Sequence, residues 1–91
     1  MNKRYHLIIS GRVQGVFFRA FVKKAATLLG LTGFVRNKPD GTVEAVVEGT
    51  SEKLHELLEH CKKGPIAARV DAVEKKEEKA TGEFIGFVVK Y

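Results

Sequence analysis

The pattern of apolar residues changes period at Phe18, and this change constrains the fold more than any other feature of the sequence. Before it, the stretch YHLIIS (Tyr5–Ser10) is rich in β-branched and aromatic residues and predicts a strand. After it, apolar residues recur at steps of three and four as far as Leu29, which predicts an amphipathic helix that ends at Gly30. The chain therefore passes from a strand into a helix through one short glycine-containing junction.

The rest of the sequence continues this alternation of strands and helices. Strands are expected over residues 33–37, 42–48, 69–75 and 84–91, and a second helix over residues 51–63. Pro39 and Gly41 in KPDG, between the first two of these strands, predict a type I turn. The charged segment EKKEEKATGE, residues 74–83, predicts a solvated connection. The order β-α-β-β-α-β with a final extra strand predicts one domain over residues 1–91. Its fold class is α+β, a ferredoxin-like split β-α-β sandwich with two helices on one face of a mostly antiparallel sheet.

The strand over residues 42–48 alternates cleanly and bears on which partners are possible. Val43, Ala45 and Val47 share one face and predict a buried surface, whereas Glu44 and Glu48 predict a second face that is at least partly wet. RNA-binding modules with this order of elements carry exposed aromatic residues on their central strands, and TVEAVVEG has none. A nucleic acid is therefore not expected as a partner. The net charge of +5 by itself attracts any anion, from RNA to a small phosphorylated metabolite.

The single cysteine and the short apolar runs indicate the compartment. Cys61 has no partner for an intramolecular disulfide, which fits a reducing environment. The apolar run of the first strand is too short for a signal peptide or a membrane span. A monomeric cytoplasmic protein without a membrane association is expected.

The first helix lacks an ordinary N-terminal cap. Gln14, Gly15, Val16 and Phe17 precede it, so no Ser, Thr, Asp or Asn is placed to satisfy its first N–H groups. Arg19 lies in the first turn, where the helix dipole disfavours a cation. Free amides, a positive helix end and an arginine fork together favour a phosphate-like anion. The alternative is a turn whose amides bind water, with Arg19 exposed on the surface.

Asn37 is a second candidate, at the end of a predicted strand. Asn is common where strands end and turns begin, so its position alone favours an ordinary structural role. The histidines offer no metal site: His55 and His60 are five residues apart on the second helix and lie on different faces. Cys61 beside His60 does not complete a ligand set of the usual spacing.

Two stretches together resemble the signature sequences of the acylphosphatase family. They are IISGRVQGVFFR, residues 8–19, and GFVRNKPDGTVEAVVEG, residues 33–49, and the resemblance covers essentially the whole chain. It implies hydrolysis of acyl phosphates to a carboxylate and inorganic phosphate by water, without a metal or organic cofactor. Arg19 and Asn37 match the catalytic arginine and asparagine of the family. The implied phosphate-binding loop amides are those of Val13, Gln14, Gly15, Val16, Phe17 and Phe18.

The uncapped helix start and Arg19 also predict that inorganic phosphate or sulfate binds at this loop. A domain that binds phosphate without turning it over is the alternative, because a pocket alone does not separate binding from catalysis. An acylphosphatase-like domain of this kind also occurs within larger carbamoyl-transfer proteins.

Overall fold

The structure, a computed structural model, describes all 91 residues. The chain forms five strands and two helices. In chain order the elements are β1 (Asn2–Arg12), α1 (Phe18–Leu28), β2 (Thr32–Asn37), β3 (Val43–Thr50), α2 (Ser51–Lys63), β4 (Arg69–Lys79) and β5 (Phe87–Lys90). This order confirms the α+β, ferredoxin-like arrangement that the sequence predicts.

The five strands form one sheet in the order β4-β1-β3-β2-β5. All neighbours are antiparallel except β5, which runs parallel to β2 and places Lys90 beside Arg36. Both helices cover the same face of this sheet, because buried residues of α1 and α2 belong to one cluster with those of the three central strands. Neither helix combines the length and the apolar character that a membrane crossing requires.

Local sequence signals set the bounds of α2 and of the turn between β2 and β3. The Thr50 hydroxyl accepts a hydrogen bond of 3.3 Å from the Lys53 N–H, and α2 ends at Lys63 before Gly64, which has φ 70°. The predicted turn over KPDG is confirmed by a 3.1 Å hydrogen bond from the Gly41 N–H to the Lys38 carbonyl. This turn closes immediately after Asn37 and so fixes where β2 ends.

The charged segment after Lys75 is strand, and the prediction of a solvated connection over residues 74–83 was wrong for its first part. β4 continues to Lys79 because its backbone pairs with β1 along the sheet edge, from Lys3 opposite Lys79 to Ser10 opposite Ala72. Most side chains of β4 remain exposed, so no apolar alternation marks it. Charged residues on an edge strand also discourage pairing with other chains. The last strand is correspondingly shorter than predicted and begins at Phe87.

Glu44 and Glu48 are buried, which corrects the prediction of a partly wet face on β3. The two carboxylates keep their charge because neighbouring groups of the open sheet face satisfy them. Glu44 contacts the guanidinium of Arg36 and lies 2.6 Å from His6 Nε2. Glu48 accepts hydrogen bonds from Arg4 Nε at 2.8 Å and from the N–H groups of Thr81 and Gly82 at 2.9 and 3.0 Å.

The Glu48 cluster predicts a pH-dependent contribution to stability. Burial alone would raise the pKa of Glu48, but the hydrogen bonds from Thr81, Arg4 and Gly82 lower this pKa below its ordinary value of 4.5. A carboxyl with a lowered folded-state pKa stabilises the fold above pH 4.5, and this contribution is lost as the pH falls through the lower pKa. Glu48→Gln should therefore lower the free energy of unfolding at pH 7 by roughly 1–3 kcal/mol.

Urea unfolding at pH 7, 5 and 3.5 tests this expectation. The difference between Glu48→Gln and the unmodified chain should shrink toward the lowest pH, where the native carboxyl takes up a proton. Glu56→Gln is the matched control, because Glu56 is exposed on α2. Equal effects of the two substitutions at pH 7 would contradict a specific role of the Glu48 cluster.

Candidate active site

The junction between β1 and α1 is a tight loop with two residues in the left-handed region. Gly15 has φ 72°, which suits glycine, whereas Phe17 has φ 64° and is the one non-glycine residue of the chain with positive φ. Val13, Val16 and Phe18 are buried and fix the loop to the core. Apolar side chains thus anchor the loop from within while its backbone runs along the surface.

The backbone N–H groups of this loop have no acceptor in the protein. None of the residues Val13 to Phe17 donates a backbone hydrogen bond, and the first bond of the helix runs from the Phe21 N–H to the Phe17 carbonyl. No side chain caps α1, which confirms the uncapped start that the sequence indicates. Unpaired amides at the positive end of a helix are suited to bind an anion.

The Gln14 side chain ties the loop to the turn that follows Asn37. Its Nε2 donates hydrogen bonds of 2.7 Å to the Lys38 carbonyl and 2.8 Å to the Thr42 carbonyl. Those two residues are themselves joined by a 2.8 Å bond from the Lys38 N–H to the Thr42 carbonyl. The two signature stretches of the sequence are therefore held together by a glutamine that bridges them.

Arg19 reaches from the first turn of α1 to the end of β5. Its Nη1 donates a 3.2 Å hydrogen bond to the Lys90 carbonyl, and its guanidinium carbon lies 4.5 Å from the centre of the Tyr91 ring. The side chain is partly exposed, so it remains accessible to a ligand. A guanidinium held by a carbonyl and an aromatic ring presents its remaining donors in a fixed plane.

One open cleft of about 970 Å³ brings the candidate residues together. Arg19 and Asn37 both line it, although they are 18 positions apart in the sequence and lie on a helix and a strand. Of the predicted loop residues, Val13, Gly15, Phe17 and Phe18 line the cleft, whereas Gln14 and Val16 do not. The cleft therefore joins a set of anion donors to an amide side chain.

Several residues that line the cleft were not predicted from the sequence. Lys23, Lys24 and Leu28 come from α1, and Val88 and Tyr91 come from β5 and the residue after it. The helical residues recur at three- and four-residue steps, a signal that marks one face of α1 but not what it faces. Tyr91 gave no usable signal, because only the pairing of β5 with β2 brings it to the site.

The histidines lie away from this cleft. His6 pairs with Glu44 on the open face of the sheet, and His60 packs its ring against Phe21 at a centroid distance of 6.4 Å. No three His, Cys, Asp or Glu side chains come together in a way that suits a metal ion. Burial raises the pKa of the Cys61 thiol to about 12, so this residue is not a nucleophile at neutral pH.

Comparisons with known proteins match this chain over almost its full length. A family model described as Acylphosphatase matches residues 5–89. An acylphosphatase of Methylococcus capsulatus is 51% identical over 87 residues, which cover 96% of this chain and 95% of the relative. One of Syntrophobacter fumaroxidans is 49% identical over 90 residues, covering 99% and 93%. The crystal structure of acylphosphatase from Bacillus subtilis superposes with a TM-score of 0.94 at 35% identity, covering 98% of this chain and 99% of the other.

Proposed function

The chain belongs to the acylphosphatase family, and from this premise we propose how its residues hydrolyse an acyl phosphate. The enzyme is an acylphosphatase, a hydrolase of the carboxyl–phosphate bond. In the proposed mechanism, water attacks the phosphorus in line with the departing carboxylate, without a metal or organic cofactor. Arg19 and the loop amides bind the phosphoryl group, and Asn37 orients the water.

The leaving group explains why so few catalytic groups are needed. A carboxylate is the conjugate base of an acid with a pKa of about 4, so it departs without a proton donor. Phosphoryl transfer passes through a loose transition state, in which positioning and charge stabilisation dominate. The cleft supplies groups of these two kinds, and no general acid is assigned.

The single observation that carries the proposal is the placement of the unpaired loop amides, Arg19 and Asn37 around one cleft. N–H donors and a guanidinium fork together match the equatorial oxygens of a phosphoryl group and hold them as charge redistributes. Asn37 fits a positioning role, because an amide both donates and accepts hydrogen bonds but is not a strong base. Gln14 keeps the strand end that carries Asn37 against the loop.

The proposal extends to the state in which the protein works. Residues 1–91 act as one domain and as a monomer in the cytoplasm, on a small-molecule acyl phosphate. The similar lengths of the relatives support a domain of this extent. Because the proposed mechanism uses no metal ion, hydrolysis should persist in excess EDTA.

Inorganic phosphate is expected to bind at the loop, because it presents the same oxygens as the transferred group. In a phosphate titration followed by amide NMR, the signals of residues 13–19 should shift in a saturable manner. The amide of Gly82 is an internal control, since Gly82 lies in the connection between β4 and β5 and does not line the cleft. Unchanged loop signals at saturating phosphate would contradict an anion site at the start of α1.

A further inference from the structure

The exposed apolar side chains of this protein are concentrated around the catalytic cleft. Seven large apolar residues are exposed in the whole chain, and four of them line the cleft. These four are Phe17, Leu28, Val88 and Tyr91. Single exposed apolar residues are ordinary, but a group of them around one concave surface marks a binding site.

Among these four residues, Phe17 gives the strongest indication of a binding role. Phe17 as a whole residue is 83% exposed, while its neighbours Val16 and Phe18 are buried. It also adopts φ 64°, a conformation that is unusual for a bulky side chain. A residue that contributes little to the core and is held in an unfavourable backbone conformation points to a role at the cleft mouth.

Apolar atoms make up much of the cleft walls beyond the phosphate loop. Ala20, Thr27 and Leu28 come from one face of α1, and Val88 comes from β5 opposite. Lys23 and Lys24 lie on the same helical face, where their methylene stems add apolar surface and their charged ends remain in water. The side of the cleft away from the loop is therefore suited to an apolar group.

We propose that this part of the cleft is the acyl-binding subsite and that the enzyme favours acyl phosphates with a hydrocarbon body over acetyl phosphate. Because Arg19 and Asn37 line the same cleft, a phosphoryl group bound by them leaves its acyl group inside a cleft that Phe17, Leu28 and Val88 also line. The cleft, about 970 Å³, exceeds what an acetyl group fills. A macromolecule seated on these residues would cover the catalytic groups, which favours the substrate itself as the occupant.

The inference of an acyl-binding subsite rests on the proposed function. A series of straight-chain acyl phosphates tests it. Acetyl, butanoyl and hexanoyl phosphate have leaving groups of nearly equal acidity, so differences in kcat/KM report binding of the chain in the transition state. Full burial of a methylene corresponds to about fourfold, and a half-open cleft should give about twofold per methylene. From acetyl to hexanoyl phosphate, kcat/KM should thus rise on the order of tenfold.

The double variant Leu28→Gln/Val88→Thr should flatten this dependence on chain length. Glutamine keeps a good helix former on α1, and threonine keeps the shape of valine on β5. The readout is the ratio of kcat/KM for hexanoyl phosphate to kcat/KM for acetyl phosphate, which should fall toward one in the double variant, because a change common to every substrate cancels in this ratio. Ile85→Thr is the matched control, since Ile85 is a fully exposed apolar residue that does not line the cleft.

The outcomes separate this inference from the proposed function. A chain-length dependence that is lost in the double variant and kept in Ile85→Thr supports the subsite. Equal kcat/KM along the series with normal acetyl phosphate hydrolysis overturns the subsite alone, whereas no hydrolysis of any acyl phosphate overturns the proposed function with it. Sedimentation of the unmodified chain as a dimer that the double variant dissociates would assign the apolar surface to a second copy and overturn the subsite.

Discussion

We expect the Arg19→Ala variant to hydrolyse benzoyl phosphate with a kcat/KM roughly a thousandfold below that of the unmodified chain. The guanidinium is the one arginine side chain of the cleft, and its fork matches two phosphoryl oxygens at once. Its loss removes charge that binds the ground state and is needed still more in the transition state. The affinity for inorganic phosphate should therefore fall together with the rate.

Two further variants make the result specific to the guanidinium. Arg19→Lys should keep part of the phosphate affinity but lose most of the rate, because an ammonium group lacks the planar fork. Arg12→Ala is the matched control, since Arg12 precedes the loop, is exposed and does not line the cleft. A rate for Arg19→Lys equal to that of the unmodified chain would show that a point charge is sufficient.

Loss of the Arg19 contacts to Lys90 and Tyr91 offers a structural explanation that must be measured. Urea unfolding of Arg19→Ala should give a free energy of unfolding within about 1 kcal/mol of the unmodified chain, because partly exposed contacts contribute little. A rate that falls only in proportion to the folded fraction would assign Arg19 to stability and contradict its catalytic role.

Local signals in the sequence were sufficient to predict α2, the uncapped start of α1 and the turn over KPDG. Each depends on residues within one or two turns of the chain: the hydroxyl of Thr50, the absence of a cap ahead of Phe18, and the glycine and proline of the turn. Capping and turn chemistry act over such short distances, so the sequence contains them directly.

Features that depend on non-local pairing could not be predicted. β4 continues through a charged segment because β1 lies beside it, and the carboxylate of Glu48 is buried because Arg4 and the loop at Thr81 cover it. Tyr91 reaches the site only through the parallel pairing of β5 with β2. In each case the partner is more than 25 residues away in the sequence, and no local pattern indicates it.

Asn37 is an intermediate case. Its position before a turn favoured an ordinary role, and only the resemblance to a family singled it out. The structure adds an independent reason, because the bridge from Gln14 to Lys38 and Thr42 places the end of β2 against the loop. The Gln14 side chain is thus the physical link between the two stretches, since its partners Lys38 and Thr42 are 24 and 28 positions away in the sequence.

The Asn37→Ala variant is expected to lower kcat for benzoyl phosphate by roughly two to three orders of magnitude while phosphate still binds. An amide that orients water contributes to the attack and not to holding the phosphoryl group, so its loss should affect kcat far more than the affinity for phosphate. For Arg19→Ala, in contrast, both the rate and the affinity for phosphate are expected to fall. Parallel measurements of kcat and of phosphate inhibition for both variants compare the two roles directly.

Asn37→Asp sharpens the same test, because it keeps the size of the side chain and replaces its N–H donors with a negative charge. If the amide donates to the attacking water, this variant should be at least as slow as Asn37→Ala, because a carboxylate has no N–H donor and also repels the phosphoryl dianion. Asn2→Ala, at the other asparagine of the chain, is the control for an exposed strand position. A carboxylate that instead restored the rate would assign position 37 to proton abstraction from water, and unmodified kcat in Asn37→Ala would remove it from the mechanism.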